Sequence, residues 1–290
     1  MSGAIKAFDA RGALLTAVAM VAFAGNSLLC RLALGAALID PATFTTVRVW
    51  SGAAILGLIL LLRGRANTRG GGGWQSALML FAYMIFFSFA YVSLGAGTGA
   101  LILFGAVQLT MFIAALRSGE RFTLMSWAGL ALAFLGLIYL VLPGVRAPDP
   151  LGAALMAVAG MAWGFYSLLG RSAADPLAAT GRNFLYATPL VLIVSLIEWR
   201  TLTFSPAGLA LAVVSGAITS GCGYVIWYAA LAHLSATRAS VVQLSVPIIA
   251  AFGGVVLLSE EVTARLLVAS AATLGGDALV LAQRMAKVSR

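Results

Sequence analysis

The chain has 290 residues, of which 62% are hydrophobic and 9% are charged, and its mean hydropathy is +1.03. Such a composition leaves too little polar surface for a soluble globular protein, so it predicts an integral membrane protein whose surroundings are the lipid bilayer. The 18 Lys and Arg outnumber the 9 Asp and Glu, and the net charge is +9. Because these basic residues are distributed between apolar segments, they indicate membrane topology and not a nucleic-acid partner.

Ten apolar stretches can each cross a bilayer, whose core of about 30 Å takes about 20 helical residues. We therefore predict an all-α integral membrane fold with ten transmembrane helices joined by short connections. The predicted spans are 12–33, 41–62, 74–94, 97–117, 124–142, 151–170, 177–198, 206–230, 235–258 and 264–284. The third and fourth spans are divided only by the glycine-rich run Gly95–Gly99, which we interpret as a tight turn outside the membrane.

Two segments of the chain resemble each other. Phe23–Arg31 reads FAGNSLLCR and Trp163–Arg171 reads WGFYSLLGR. Each is followed by an Asp-Pro pair, which begins at Asp40 in one case and at Asp175 in the other, where we expect Asp to cap the next helix and Pro to open it. A chance match between two segments rich in Leu, Ala and Gly is the alternative, but the further matches below favour a duplication.

The duplication predicts two five-helix halves, 1–143 and 151–290, which together form one domain. Since five is odd, the second half enters the membrane in the opposite sense, which makes the pair an inverted repeat. With cytoplasmic termini, thirteen Lys and Arg lie on the inner side and five on the outer side, as the positive-inside rule requires. We expect both termini in the cytoplasm of a bacterium, with the chain in its inner membrane.

Polar residues interrupt the apolar spans at corresponding places in the two halves. Asn26 lies in the first span, and Arg48 in the second takes the position that Asn183 has in the second half. A buried Arg is costly unless it snorkels, pairs or faces water. For Arg48, snorkelling to the outer headgroups and facing a water-filled cavity are two interpretations of equal weight.

Two side-chain stripes also occupy matching positions. The third span carries an aromatic residue at every fourth position from Tyr83 to Tyr91, and the eighth has Ser220, Tyr224 and Tyr228 at the same spacing, 137 residues after the first stripe. Residues four apart share a helix face. A single stripe of this kind is usually packing or lipid-facing surface, but a pair at matching positions of an inverted repeat favours a binding site.

Among the deeper tryptophans, Trp163 is the candidate cavity residue. It lies between Gly160 and Gly164, whose spacing permits close helix approach. A buried indole N–H needs a hydrogen-bond partner or a cavity.

Two glutamines and two prolines complete the candidate set. Gln108 and Gln243 recur at matching positions, where they either bind substrate or bridge helices, and we weigh these two interpretations equally. Pro189 and Pro247 lie inside predicted spans, where they free backbone carbonyls and allow bending, so we predict hinges there.

Nothing in the sequence indicates an enzyme. The single His is His233 at a predicted helix end, and neither HExxH nor GxSxG occurs. Glu260 and Glu261 stand at a helix start, where dipole capping explains them. We therefore predict no catalytic residues, no cofactor and no metal site.

The chain resembles the drug/metabolite transporter superfamily in its EamA-like branch. The resemblance depends on the ten predicted helices, the two inverted halves, the basic termini and the segment Ser259–Thr263 entering the last helix, with Ser118–Thr123 as its counterpart before the fifth. The aromatic stripes and the region of Trp163 are most similar to the YddG-type aromatic amino acid exporters. Nearly the whole chain is covered, although the motifs are loose.

The resemblance implies a basket of helices 1–4 and 6–9 around a central cavity, with helices 5 and 10 outside it and available for a dimer contact, so the protein is a monomer or a homodimer. It implies export of amino acids, including aromatic ones, as the halves alternate between inward-open and outward-open states. Efflux of lipophilic cations, which aromatic side chains also bind, is the alternative. The candidate substrate-binding residues are Asn26, Arg48, Tyr83, Tyr91, Gln108, Trp163, Asn183, Tyr224, Tyr228 and Gln243.

Overall fold

A computed structural model of the chain describes residues 10–64, 72–119, 122–144, 147–171, 173–231, 233–234 and 242–288, with the backbone alone described for residues 277 and 280–288. Residues 235–241, with which the ninth predicted span begins, lie outside the described residues. The described part is helical apart from one isolated β-bridge, between Ile39 and Phe204.

The helices follow the predicted spans closely. They are α1 (Ala10–Gly35), α2 (Pro41–Leu62), α3 (Trp74–Ala90), α4 (Ala96–Arg117), α5 (Leu124–Val141), α6 (Pro150–Gly170), α7 (Pro176–Ile197), α8 (Pro206–Leu231), α9 (Ser245–Leu258) and α10 (Ala264–Val288). Within the described residues, seven helices are long and apolar enough to cross a membrane, namely α1, α2 and α4 to α8. Helix α3, helix α9 and the apolar part of α10, Ala264–Gly276, are shorter. Ten membrane crossings therefore stay a prediction.

The predicted Asp-Pro starts are confirmed. The Asp40 carboxylate accepts a hydrogen bond from the Thr43 backbone N–H at 2.8 Å, and Asp175 accepts from Leu177 at 3.1 Å and from Ala178 at 3.2 Å. In both cases proline follows as the first helical residue. The side chain satisfies an N–H that has no partner inside the helix, and proline has no N–H to lose.

The turn between α3 and α4 is not where the sequence predicts it. Helix α3 ends at Ala90 and α4 begins at Ala96, so most of the run Gly95–Gly99 forms the first turn of α4. The cause lies far away in the sequence. Both oxygens of the Glu260 carboxylate accept from the Ala96 N–H, at 3.1 and 2.8 Å, and this negative charge stabilises a helix start that glycines disfavour.

The two halves pack on each other through equivalent helices. Helix α1 contacts α8 and α9, while its counterpart α6 contacts α3 and α4. Helices α2, α4 and α5 contact their own counterparts α7, α9 and α10. If each helix is replaced by its counterpart in the other half, every helix–helix contact in this set becomes another contact of the same set. A duplication predicts this symmetry.

Helices α5 and α10 pack chiefly on each other. Both therefore lie to the side of the other helices, as the resemblance implies.

The GxxxG spacing in α6 marks a close helix crossing. A Cβ atom at Gly160 would clash with the carbonyl oxygen of Leu103 on α4, and one at Gly164 would lie 2.9 Å from the Cβ of Thr110. Glycine is therefore required at both positions for α6 to pack directly against α4 on either side of Trp163.

Candidate functional site

Arg48 is the centre of the most polar part of the protein interior. Its side chain is fully buried, with 0% exposure. The guanidinium donates from Nε to Ser220 Oγ at 2.9 Å, and from Nη2 to the hydroxyls of Tyr224 at 2.9 Å and Tyr83 at 3.3 Å. Because the head group points inward, the snorkelling interpretation of Arg48 is wrong.

The charge of Arg48 is surrounded by neutral groups. The guanidinium carbon lies 5.4 Å from the ring centre of Tyr83 and 5.1 Å from that of Phe87, at distances that permit cation–π attraction. Its Nη1 is buried and has no hydrogen-bond partner among the described residues. Within the same residues, no carboxylate lies at ion-pair distance from it. A positive charge without an anionic partner is therefore built into the interior.

Asn26 links α1 to this cluster. Its Nδ2 donates to the Tyr83 hydroxyl at 3.2 Å. Its Oδ1 accepts from three hydroxyls of α8: Ser215 at 2.8 Å, Thr219 at 3.3 Å and Ser220 at 3.4 Å. The amide is thus satisfied on both sides, which fixes its orientation.

A change of helical register makes that contact possible. Residues Ser215–Cys222 of α8 form a π-helix, whose hydrogen bonds join residues five apart. Ser215 and Ser220, five apart, consequently face the same side. A Cβ at Gly216 would clash with the carbonyl oxygen of Arg48, so this segment packs directly against α2. Sequence analysis missed Ser215 and Thr219 because it assumed α-helical spacing.

Trp163 lies among aromatic rings beside the Arg48 cluster. Its ring centre is 4.8 Å from that of Tyr83, 4.8 Å from Tyr224, 5.4 Å from Phe23 and 5.4 Å from Tyr166. The indole is buried, and its Nε1 has no hydrogen-bond partner among the described residues. In this structure the neighbouring rings fill the space around Trp163, so a ligand can enter only if they move apart.

Tyr228 and Asn183 form a second group, next to the first and joined to it by Tyr166. The Tyr228 hydroxyl donates to the Tyr166 carbonyl at 3.3 Å, and their rings stack at 5.7 Å. Asn183 donates to the Tyr166 hydroxyl at 3.5 Å and accepts from the Gly73 backbone N–H at 3.2 Å. Sequence analysis missed Tyr166 because it belongs to neither stripe, although it lies one helical turn from Trp163.

The other candidates lie elsewhere. Tyr91 caps the end of α3, and its hydroxyl donates to the Ala96 carbonyl at 3.3 Å, so it stabilises the turn and does not reach Arg48. Gln108 is buried on α4, and Gln243 is buried just before α9. Their part in a binding site stays a prediction.

The two prolines have different surroundings. Pro189 lies inside α7 with its ring exposed, where the missing N–H still allows a bend. Pro247 is the third residue of α9. Residues 242 and 243 before it are helical too, so the hinge at Pro247 stays a prediction.

A second arginine cluster lies at the edge of the bundle and was missed by sequence analysis. Arg31, at the end of α1, forms an ion pair with Glu260 at 3.1 Å. Its Nη1 also donates to the carbonyls of Tyr91 and Val92, both at 3.2 Å. Arg31 and Glu260 also line an open cavity of about 240 Å³, together with Gly95 and Thr98. The cluster fastens α1 and the α3–α4 turn to the loop before α10.

Comparison with known proteins identifies the family. The model of the EamA-like transporter family matches the chain twice, over residues 10–142 and 150–282. The chain belongs to the EamA-like transporter family. It is therefore a multi-pass membrane protein of a transporter family, with two EamA repeats.

Relatives extend the similarity over almost the full chain. This EamA-like transporter is 50% identical to an uncharacterized protein of Pseudomonas aeruginosa over 282 residues, which covers 97% of this chain and 98% of that protein. It is 23% identical to an uncharacterized transporter of Archaeoglobus fulgidus over 257 residues, with 85% and 90% covered. A solved crystal structure with 19% identity superposes with a TM-score of 0.65 over 94% of this chain and 98% of the other, which shows a shared fold.

Proposed function

We propose that this EamA-like transporter exports amino acids, including aromatic ones, across the bacterial inner membrane by alternating access. The observation that carries the proposal is the buried Arg48 cluster. In it a permanent positive charge lies beside aromatic rings, and these residues come from both halves of the chain. An amphipathic carboxylate is the kind of ligand that fits such a combination.

In this proposal Arg48 binds the substrate carboxylate. A guanidinium and a carboxylate form a short, charge-assisted pair, often through two parallel hydrogen bonds. The side chain of the substrate packs among Tyr83, Trp163 and Tyr224, while Asn26 orients the Tyr83 hydroxyl. Tyr228 and Asn183 line the adjoining group, and Gln108 on α4 and Gln243 just before α9 complete the lining of the site.

The division of the cluster between the two halves supports alternating access. Tyr83 of the first half and Tyr224 of the second are joined hydroxyl to hydroxyl at 3.2 Å. When the halves move apart on one side, these contacts open and a substrate takes their place. The mechanism needs ten membrane crossings in two inverted repeats, with residues 1–143 and 151–290 forming one transport domain and both termini in the cytoplasm.

Efflux of lipophilic cations is disfavoured by the same cluster. Aromatic rings attract a cation, but a cation at this place would lie beside the buried charge of Arg48. Like charges in an apolar interior repel strongly because water does not screen them. A ligand with a negative group is therefore favoured over a cation.

Flux into proteoliposomes tests the proposal, with labelled phenylalanine and a labelled lipophilic cation measured in parallel. We expect saturable phenylalanine flux that is lost in Trp163→Ala. Trp50→Ala is the matched control because Trp50 is 48% exposed on α2, and it should transport normally. Flux of the cation alone would contradict the proposal.

A further inference from the structure

We infer that the Arg48 cluster recognises the carboxylate and offers no site for an ammonium group. Aromatic monocarboxylates that lack the amine are then substrates too, and they bind at least as tightly as the corresponding amino acids. The inference rests on the proposed function and narrows the chemistry of the same site.

The unsatisfied side-chain nitrogens of the Arg48 cluster and of the tryptophans beside it are hydrogen-bond donors. Among the described residues, Arg48 Nη1, Trp163 Nε1 and Trp227 Nε1 are buried without hydrogen-bond partners, as is the Ser167 hydroxyl, which makes no hydrogen bond to the cluster. Arg48 and Trp163 both contact the pair Tyr83 and Tyr224, and Trp227 is joined to that pair through the ring of Phe23. Buried N–H groups of this kind are satisfied by an acceptor, and a carboxylate carries two acceptor oxygens.

The neutral acceptors of the cluster are already in use. Asn26 Oδ1 accepts from three hydroxyls of α8. The Tyr83 hydroxyl oxygen accepts from Asn26 at 3.2 Å, from Arg48 at 3.3 Å and from Tyr224 at 3.2 Å. An ammonium group carries three donors and no acceptor, so it would have to displace these bonds to obtain its own.

The described carboxylates lie at helix ends, away from this cluster. Asp40, Asp149 and Asp175 cap helix starts, Glu198 ends α7, Glu260 caps α4, and the exposed Glu261 lies in the loop before α10. Burying an ammonium without an acidic partner is unfavourable, and Arg48 would repel it as well. The amine of an amino acid is consequently tolerated at best, whereas the carboxylate is bound.

Isothermal titration calorimetry of the purified full-length protein in detergent tests this inference. It measures the affinity of four probes that share a phenylethyl group. They are phenylalanine, 3-phenylpropionate without the amine, phenethylamine without the carboxylate, and the neutral 3-phenylpropionamide. We expect 3-phenylpropionate to bind at least as tightly as phenylalanine. Phenethylamine and the amide should each bind at least tenfold more weakly than 3-phenylpropionate.

The outcomes separate this inference from the proposed function. If phenylalanine binds tenfold more tightly than 3-phenylpropionate, the site recognises the amine, and the inference is overturned while amino acid export stands. If phenethylamine binds best, or none of the four probes binds, both are overturned.

The variant Arg48→Gln tests whether the Arg48 guanidinium is the group that binds the carboxylate. The variant should lose at least tenfold in affinity for 3-phenylpropionate and should bind the acid and its amide alike. Arg200→Gln, an exposed arginine outside the cluster, is the matched control and should bind as the wild type does. Should Arg48→Gln fail to fold, the wild-type difference between acid and amide still decides, because equal affinities would overturn the inference.

Discussion

Arg31 and Arg48 belong to the same half of the chain but have opposite surroundings. Arg31 is 26% exposed at the edge of the bundle, and its charge is paired with Glu260 at 3.1 Å. Arg48 is fully buried, and its partners are hydroxyls and aromatic rings. A charge that the chain itself neutralises fastens helices together, whereas a buried charge without an anionic partner among the described residues suits an anion supplied from outside.

Replacement of each arginine by methionine gives the largest expected contrast. Arg48→Met should weaken binding of aromatic carboxylates about ten- to hundredfold, because it removes a charge-assisted pair worth roughly 1.5–3 kcal/mol. Its melting temperature should be unchanged or raised, since an apolar group of similar volume replaces a charge that is costly to bury. Arg31→Met should instead lower the melting temperature and retain binding.

Titration and thermal unfolding of both variants in the same detergent make this comparison. A pronounced drop in the melting temperature of Arg48→Met, larger than that of Arg31→Met, would show that Arg48 is structural. It would also remove the main support for a ligand at this position.

Tyr83→Phe weakens the central cluster without removing its charge. The Tyr83 hydroxyl oxygen accepts three hydrogen bonds, so its loss leaves the buried donors of Asn26 and Arg48 without that acceptor. We expect a loss of about 1–3 kcal/mol in the free energy of unfolding, measured by denaturant titration. Tyr139→Phe removes an exposed hydroxyl and should have little effect. Equal losses in both variants would contradict the cooperative network around Tyr83.

Glu260→Gln weakens the edge cluster. The change removes the single negative charge that pairs with Arg31 and also stabilises the start of α4. The side chains of Arg31 and Glu260 are both partly exposed, so water screens their attraction. We expect a loss of about 1 kcal/mol in the free energy of unfolding, smaller at high salt. The same change at its exposed neighbour Glu261 is the control and should cost less. A loss that does not depend on salt would show that shape, and not charge, makes this contact.

The contrast between the two arginines also shows what sequence analysis can reach. The sequence alone predicts the membrane class, the helix starts at Asp40 and Asp175, and a set of candidates that includes Arg48. These features depend on local composition or on the chemistry of single residues. The hydrogen-bond partners of the two arginines could not be predicted, because they are distant in the sequence. Arg48 binds Ser220, 172 residues away, and Arg31 binds Glu260, 229 residues away.

Two local features were also beyond sequence analysis. The π-helix Ser215–Cys222 was not predicted, because its widened turns form where α8 packs against α1 and α2. The first turn of α4 forms in a glycine-rich run because the distant Glu260 caps it. In both cases tertiary contacts override local preference.

The smallest effect on stability is expected from the contact between the α3–α4 turn and the second half of the chain. Arg31 holds the same turn from the other side. The Ser93 hydroxyl of this turn donates to the Asp149 carboxylate at 2.9 Å. The backbone N–H of Gly152, and after it the Ser93 hydroxyl, hold the pKa of Asp149 below its usual value. Since the pKa is lowered by folding, the stabilisation is present above the unfolded pKa of roughly 3.9 and is lost as the pH falls through the lower folded value.

Asp149→Asn tests this contact. We expect a small deficit in the melting temperature of the variant at pH 7, which narrows at a pH below about 4 as the wild-type carboxylate becomes protonated. The deficit is small because Asp149 is exposed and asparagine is itself a good helix cap. Thermal unfolding of both proteins from pH 7 to pH 3 measures it. A deficit that stays constant with pH would show that the shape of the cap, and not its charge, holds the turn against α6.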